Sequence, residues 1–204
     1  MRISYAIPVW NEHEELERLL KQLVEYKRSV DEIVVQCDQG NTTQQVYNVL
    51  DKYDRHVKVV QFPLKGNFAA YKNNLKANCT GEWIFQIDAD EYPTSAFLQH
   101  LHTILQDNPT VDLFLVPRIN TVRGLTEEHI QKWGWKVQNG RVNWPDYQSR
   151  IYRNSPEIKW ENKVHEKIVG FKHYTTLPAV DELALIHPKT IERQEKQNAY
   201  YDTL

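Results

Sequence analysis

Along the first 116 positions, apolar residues form short unbroken runs separated by stretches in which they recur every three or four residues. The runs at 3–7, 32–37, 57–62, 82–87 and 111–116 are rich in β-branched and aromatic residues and read as buried strands. Between them, Leu16, Leu19, Leu20, Leu23 and Val24 share one helix face, as do Val46, Val49, Leu50 and Tyr53. Segment 67–78 predicts a third helix stopping near Gly81, and Phe97, Leu98, Leu101, Ile104 and Leu105 line a fourth. Asn11 with Glu14 three residues on predicts a capping box at the start of the first helix. Strands alternating with helices of this length predict an α/β fold whose mostly parallel sheet is flanked by helices, with right-handed crossovers. Ligands of such sheets bind beyond the carboxyl ends of the strands. Asn11-Glu12, Asp38 and the Asp88-Asp90-Glu91 group all fall at such ends.

The second half is patterned differently. Residues 120–143 are polar and carry Trp133 and Trp135, with Trp144 just beyond, and Asn139-Gly140 signals a tight turn. Segments 148–153 and 158–169 have strand-like content, 182–186 reads as a last strand ending at His187-Pro188, and a polar helix follows from about Thr190. The expectation is a mixed, partly antiparallel extension on the same sheet, with residues 1–204 forming one domain.

A chain of 204 residues with 41% hydrophobic and 25% charged residues can bury a sizeable core, which excludes a disordered chain. A net charge of −2 argues against a nucleic-acid binder. Cys37 and Cys79 form no metal-binding pair pattern, and whether they pair with each other is left open by their spacing. No apolar run is long enough to span a bilayer, so a cytoplasmic protein is expected, able to meet a membrane's inner face but not to cross it.

Residues 83–93, WIFQIDADEYP, discharge three carboxylates within four positions at the end of an apolar strand. Like charges this close need solvation or a positive partner. One reading makes Asp88 and Asp90 caps of the helix near Thr94. The other gives them a hard divalent cation, Mn2+ or Mg2+, that bridges to substrate phosphates. Pro93 stands where an EF-hand loop needs glycine, and no Gly-rich phosphate loop occurs among the seven glycines. A diphosphate would therefore need a metal rather than an amide cradle.

The segments AIPVWNEHEELERLL, EIVVQCDQGNTT, KGNFAAYKNNLKANCTGEWIFQIDADEYP, RIYRN with WENKVHE, and LIHP occur in the order seen in family 2 glycosyltransferases, which the chain resembles from Ile3 to about Pro188. The lipopolysaccharide-core and cell-wall type of β-glycosyltransferase shares this layout. The resemblance implies a GT-A, Rossmann-like fold, with a nucleotide-sugar half at 1–117 and an acceptor-binding, catalytic half at 118–204. It also implies roles. Pro8, Trp10 and Glu12 would hold base and ribose, Asp38 a uracil-type base, and Lys72 and Asp88 the nucleotide sugar. Asp90 and His187 would bind the metal, and Glu166 would be the catalytic carboxylate, with Asp146 and Glu161 as alternatives. The implied activity is metal-dependent, inverting transfer from a UDP-type sugar donor to a hydroxyl on a glycan or lipid-linked saccharide. The usual D-D-G-S-x-D turn is Asp38-Gln39-Gly40-Asn41-Thr42-Thr43 here, and the E-D pair that marks the base in many relatives is absent. A nucleotidyltransferase and a catalytically degenerate nucleotide- or glycan-binding relative are the alternatives. Trp83 and Trp160 are expected in the core, His165 as a structural residue, and Trp133 and Trp135 as an acceptor wall.

Overall fold

A computed structural model describes residues 1–201, with side chains to residue 199. In chain order the first half runs β1 (Ile3–Val9), α1 (His13–Tyr26), β2 (Glu32–Asp38), α2 (Gln44–Lys52), β3 (Val57–Phe62), α3 (Phe68–Ala77), β4 (Trp83–Gln86), β5 (Tyr92–Pro93), α4 (Ser95–Asp107) and β6 (Leu113–Val116). The second half runs β7 (Arg118–Arg123), α5 (Glu127–Trp133), β8 (Val137–Gln138), β9 (Arg141–Val142), β10 (Gln148–Arg153), β11 (Lys159–Glu161), β12 (Lys167–Val169), β13 (Tyr174–Thr176), a 3-10 turn (Asp181–Leu183), β14 (Leu185–Thr190) and α6 (Ile191–Tyr201).

Seven strands form the main sheet in the order β13-β6-β10-β4-β1-β2-β3. All are parallel except β10, which lies antiparallel between β4 and β6. The apolar runs are continuous because both faces of the sheet are covered. Leu16, Leu19, Leu20 and Leu23 of α1 and Phe97, Leu98 and Leu101 of α4 pack with Tyr5, Ile7, Trp83, Phe85 and Phe114 on one face. The opposite face buries Ala6, Val34, Ile84 and Tyr152 under α3 and the β11–β12 hairpin, where Trp160 sits. Trp83 and Trp160 are thus both core residues, as expected.

The extension departs from the predicted arrangement. Only β10 and β13 join the main sheet. A second sheet of order β5-β14-β7-β9-β8 holds most of the rest, and β11 with β12 stands alone. The predicted strand at 182–186 begins as the 3-10 turn, and β14 runs on through His187 and Pro188 to Thr190. Adjacent apolar residues marked strand content there, but short runs carry no information on which sheet they join. The Asn139-Gly140 turn is present, with both residues at positive φ (51° and 74°) between β8 and β9.

Two helix ends also differ. No capping box starts α1. Glu12 occupies the N-cap position, and its carboxylate reaches back to the Trp10 and Asn11 amides (2.9 and 3.0 Å). α3 ends at Ala77 with Asn78 as its C-cap, and Gly81 is needed for a different reason. A Cβ there would lie 2.6 Å from the Ser4 nitrogen, so only glycine lets the chain pass β1 this closely.

Candidate active site

The carboxylate cluster leaves the carboxyl end of β4, and its counter-charges come from the second half of the chain. Glu91 is 0% exposed and accepts from Arg118 Nη1 of β7 at 2.7 Å and Arg150 Nη2 of β10 at 2.6 Å. Arg150 also pairs with Asp88. Burial alone would raise the Asp88 carboxyl, but the Arg150 guanidinium, with Lys72 and Arg118 nearby, outweighs it and holds the group below the usual range. Burial likewise disfavours the charged form of Arg150, yet Asp88 and Glu91 together push its pKa well up. Neither acid caps α4: that helix is capped by Thr94, whose hydroxyl accepts from the Phe97 amide at 3.1 Å. The capping alternative therefore falls for both Asp88 and Asp90.

Asp90 faces away from these arginines. Its Oδ2 lies 3.2 Å from His187 Nε2 on β14 and 3.4 Å from Arg193 Nη2 on α6. Burial raises its carboxyl, but the His187 hydrogen bond and charge, with Arg193 and Lys189 nearby, bring it far below the ordinary value. His187 Nδ1 is 2.7 Å from Asn120 Oδ1. Asn120 Nδ2 donates in turn to Asp146 Oδ2 at 2.8 Å. A chain of side chains thus runs from Asp146 through Asn120 and His187 to Asp90, as an oriented metal-binding imidazole needs.

Of the sequence-predicted donor-side residues, Pro8, Trp10, Glu12, Asp38 and Asp88 lie at or just beyond the carboxyl ends of β1, β2 and β4, whereas Lys72 belongs to α3. Pro8 lies in β1 opposite Gln36 of β2. Trp10 projects from the end of β1 with half of its surface exposed (50%), and its carbonyl accepts from the Thr43 amide at 3.2 Å. Asp38 accepts from the Leu64 amide (2.9 Å) and Asn41 Nδ2 (3.0 Å), which ties the turn after β2 to the segment after β3. Glu12 Oε1 lies 3.3 Å from Arg193 Nη2. Lys72 of α3 pairs with Glu166, and its Nζ lies 4.3 Å from the centre of the Trp160 ring.

The three carboxylates considered for the base differ in their surroundings. Glu161 is an exposed hairpin residue paired with Lys159 at 3.0 Å. Asp146 is saturated by Arg118 Nε and Nη2 (2.9 and 2.6 Å), Asn120 (2.8 Å) and Gln148 (2.8 Å). Burial raises the Asp146 carboxyl, but Arg118 and these bonds more than reverse that, leaving a weakly basic group. Glu166 is 17% exposed, and its side chain's partner among the described residues is Lys72. It lines a cavity of about 480 Å³ with Lys72, Arg150, Tyr147, Trp160 and Phe171.

A smaller cavity of about 220 Å³ lies between the second sheet and α6, lined by Asp146, His187, Lys189 and Trp135. Trp133 belongs to α5 rather than to a loop, and its ring stacks on His129 and packs against Trp135. Cys37 and Cys79 are both buried free thiols, which settles their pairing. Arg118, Arg150, Asn120 and Arg193 escaped the sequence reading. The need for positive charge was visible, but no local pattern says which arginine crosses the fold to meet it.

Among the described residues, no three His, Cys, Asp or Glu side chains group as a complete metal cage. The Asp90–His187 pair does fit a cation that keeps open positions. Its donor atoms are 3.2 Å apart, and neighbouring ligands about 2.1 Å from an octahedral ion lie roughly 3 Å apart. An oxygen and an imidazole nitrogen suit manganese better than magnesium.

The glycosyl transferase family 2 model matches residues 4–174. The chain belongs to glycosyl transferase family 2. Its fold is GT-A. Residues 1–349 of S. aureus TarS superpose with a TM-score of 0.66 at 17% identity, covering 92% of this chain and 60% of that one. The mannosyltransferase PcManGT from Pyrobaculum calidifontis, in complex with GDP-Man and Mn2+, superposes at 0.51 and 18% identity, covering 74% of this chain and 44% of that one. A TPR repeat-containing protein of Synechococcus elongatus is 28% identical over 155 residues, which is 76% of this chain and 33% of that protein. The poly(ribitol-phosphate) beta-glucosyltransferase of Bacillus spizizenii is 24% identical over 150 residues, 72% of this chain and 23% of that enzyme. The chain therefore spans a third or less of the curated relatives it matches. No helix among the described residues is long and apolar enough to cross a membrane.

Proposed function

We propose that this family 2 chain transfers a sugar from a nucleoside-diphosphate donor, UDP-linked by preference, to a hydroxyl of a glycan or lipid-linked saccharide, with inversion and with a divalent cation. The observation that carries this reading is the Asp90–His187 pair, at cis-ligand spacing, beside Asp88 at the carboxyl end of the parallel strands. The same edge of the sheet presents the exposed Trp10 ring for a nucleobase. TarS has been solved with UDP-GlcNAc, which favours the uridine donor class.

Asp90 and His187 would hold Mn2+ or Mg2+, which when bound offsets the charge developing on the diphosphate leaving group. The chain's residues perform the rest. Asp88, pinned by Arg150, stands as a fixed acceptor for a donor hydroxyl. Glu166 takes the proton of the attacking acceptor hydroxyl, and the adjoining cavity of about 480 Å³ gives the acceptor room. Lys72 pairs with Glu166 and holds its carboxylate in position until the acceptor arrives. Attack opposite the leaving group in one step inverts the anomeric centre.

Thermal melting with UDP, GDP, CDP and dTDP, each with and without Mn2+, tests this reading. A nucleotide at about 100 times its Kd should add about 2.7 kcal/mol of stability. The shift should need both one nucleotide and the metal, and Asp90→Ala should abolish it. No shift with any nucleotide would remove the donor reading, and proton NMR of the product reads the anomeric configuration.

A further inference from the structure

Arg193 is the residue that neither the family motifs nor the proposed chemistry accounts for. It lies six residues after His187, where β14 passes directly into α6, and the first turn of that helix folds it back over the site. Its guanidinium meets three carboxylates: Glu15 Oε1 at 2.6 Å, Glu12 Oε1 at 3.3 Å and Asp90 Oδ2 at 3.4 Å. Asp90 Oδ2 is the same oxygen that faces His187.

We propose that Arg193 is an exchangeable counter-ion of the Asp90 site: it neutralises Asp90 in the free protein and leaves that carboxylate when a divalent cation binds. This rests on the metal-binding reading of Asp90 and His187.

The argument is one of charge and space. A buried carboxylate needs a cation whether or not a metal is present. Asp88 and Glu91 have permanent partners in Arg150 and Arg118, from strands inside the sheets. Among the described residues, Asp90 has only His187 and the two residues of the β14–α6 junction, Lys189 and Arg193. Of those two, Lys189 Nζ is engaged by Gln197 Oε1 at 2.5 Å. Arg193 is the one in contact, and its side chain is 32% exposed, so it can move without unpacking the core. A dication on the same oxygen and a guanidinium 3.4 Å away repel each other. Glu15, its nearest partner, gives the displaced guanidinium a place to stay.

Mn2+ titration of the whole chain without nucleotide, followed by the loss of the free Mn2+ paramagnetic signal, tests the exchange. Arg193→Met keeps the aliphatic stem and removes the charge. Because the displaced contact is the longest of the three and partly exposed, its loss should tighten Mn2+ binding about fivefold, as about 1 kcal/mol implies. Arg193→Lys keeps a cation there and should stay near wild type. A merely structural role would weaken Mn2+ binding in both variants. Unchanged or weaker binding in Arg193→Met, with a melting temperature near wild type, overturns the proposal. Hydrogen exchange gives a second readout independent of any variant: amides of the first α6 turn should change protection when Mn2+ binds wild type, and no change there also overturns it. UDP binding in the presence of Mn2+ separates the two ideas. If it persists while Arg193→Met fails to tighten Mn2+, the exchange alone is wrong. If wild type binds neither Mn2+ nor UDP, the donor-site reading falls with it.

Discussion

Replacing Arg150 by methionine tests the account of the carboxylate cluster most directly. The substitution keeps an unbranched stem of similar reach and removes one guanidinium. Asp88 then loses its ion pair, and Glu91, fully buried, keeps only Arg118 at 2.7 Å. Removing one partner of a buried ion pair costs about 3–5 kcal/mol, because the other charge is left uncompensated. Asp88 is 34% exposed and can recover some hydration, and Glu91 retains one arginine, so the lower end of that range applies. A loss of about 3 kcal/mol lowers the melting temperature by roughly 6–12 °C for a chain of this size. The pH dependence gives the sharper signature. The folded Asp88 carboxyl lies below its unfolded value of about 3.9, so its stabilisation is present above about pH 4 and is lost as pH falls through the folded value. Arg150→Met lacks the largest stabilising part of that contribution at every pH. Urea unfolding should therefore show the full deficit at pH 7 and a smaller one at pH 3. Adding Glu91→Gln to Arg150→Met should recover part of the deficit, because the uncompensated charge is then gone. A deficit under 1 kcal/mol at pH 7, or one unchanged between the two pH values, would refute the electrostatic reasoning.

Glu166→Gln should lower transfer by about 10²- to 10⁴-fold while the Mn2+-dependent melting shift with UDP persists; equal loss of both would assign Glu166 to donor binding instead. Asp146→Asn should chiefly cost stability, about 1–3 kcal/mol by thermal melting, because it disturbs the Arg118, Asn120 and Gln148 bonds. Asp31→Ala should destabilise by about 3 kcal/mol without touching nucleotide affinity. Its buried carboxylate accepts from the Ile3 amide (2.9 Å), the Arg28 amide (2.9 Å) and His102 Nε2 (2.8 Å), far along β1 from the site.

The sequence made the fold legible where local pattern and tertiary role coincide. Continuous apolar runs mean strands covered on both sides, and β1, β2 and β4 lie where those runs predicted, within two residues at each end. The rule that ligands meet the carboxyl ends of such strands placed Asn11-Glu12, Asp38 and Asp88-Asp90-Glu91 along one edge. The second half was less readable because its strands are two to six residues long and pair across long separations. β14, for example, pairs with β7 rather than with a sequence neighbour. A run of three apolar residues says strand but not which sheet. The capping box failed because Glu12 turns back to the Trp10 and Asn11 amides and so occupies the capping position itself. The missed arginines share one cause: Arg118 and Arg150 lie 27 and 59 residues from Glu91, a separation at which charge pairing leaves no periodic trace.

The D-A-D-E stretch is best understood as two sites of opposite character built into four residues. Asp88 and Glu91 turn toward Arg150 and Arg118, whose own carbon stems are fixed in strands, so these charges are matched permanently. Such pairing adds little net stability over an apolar core, but it fixes the direction of every carboxylate oxygen that takes part. Asp90, between them, turns the other way, toward an imidazole and a partly exposed guanidinium. On the proposed metal reading, a cation arriving at Asp90 has to displace only the weaker of its two partners among the described residues, and it finds the neighbouring acids unable to follow it. Were Asp88 and Glu91 free, three carboxylates within four residues would draw the ion into several competing poses. With them tied, one oxygen of Asp90 and one nitrogen of His187 remain to define its position. If Asp90 and His187 hold the cation as proposed, Arg150 and Arg118 act on that site by removing choices from it, and Mn2+ titration of Arg150→Met should show more than one binding mode beside the loss of stability.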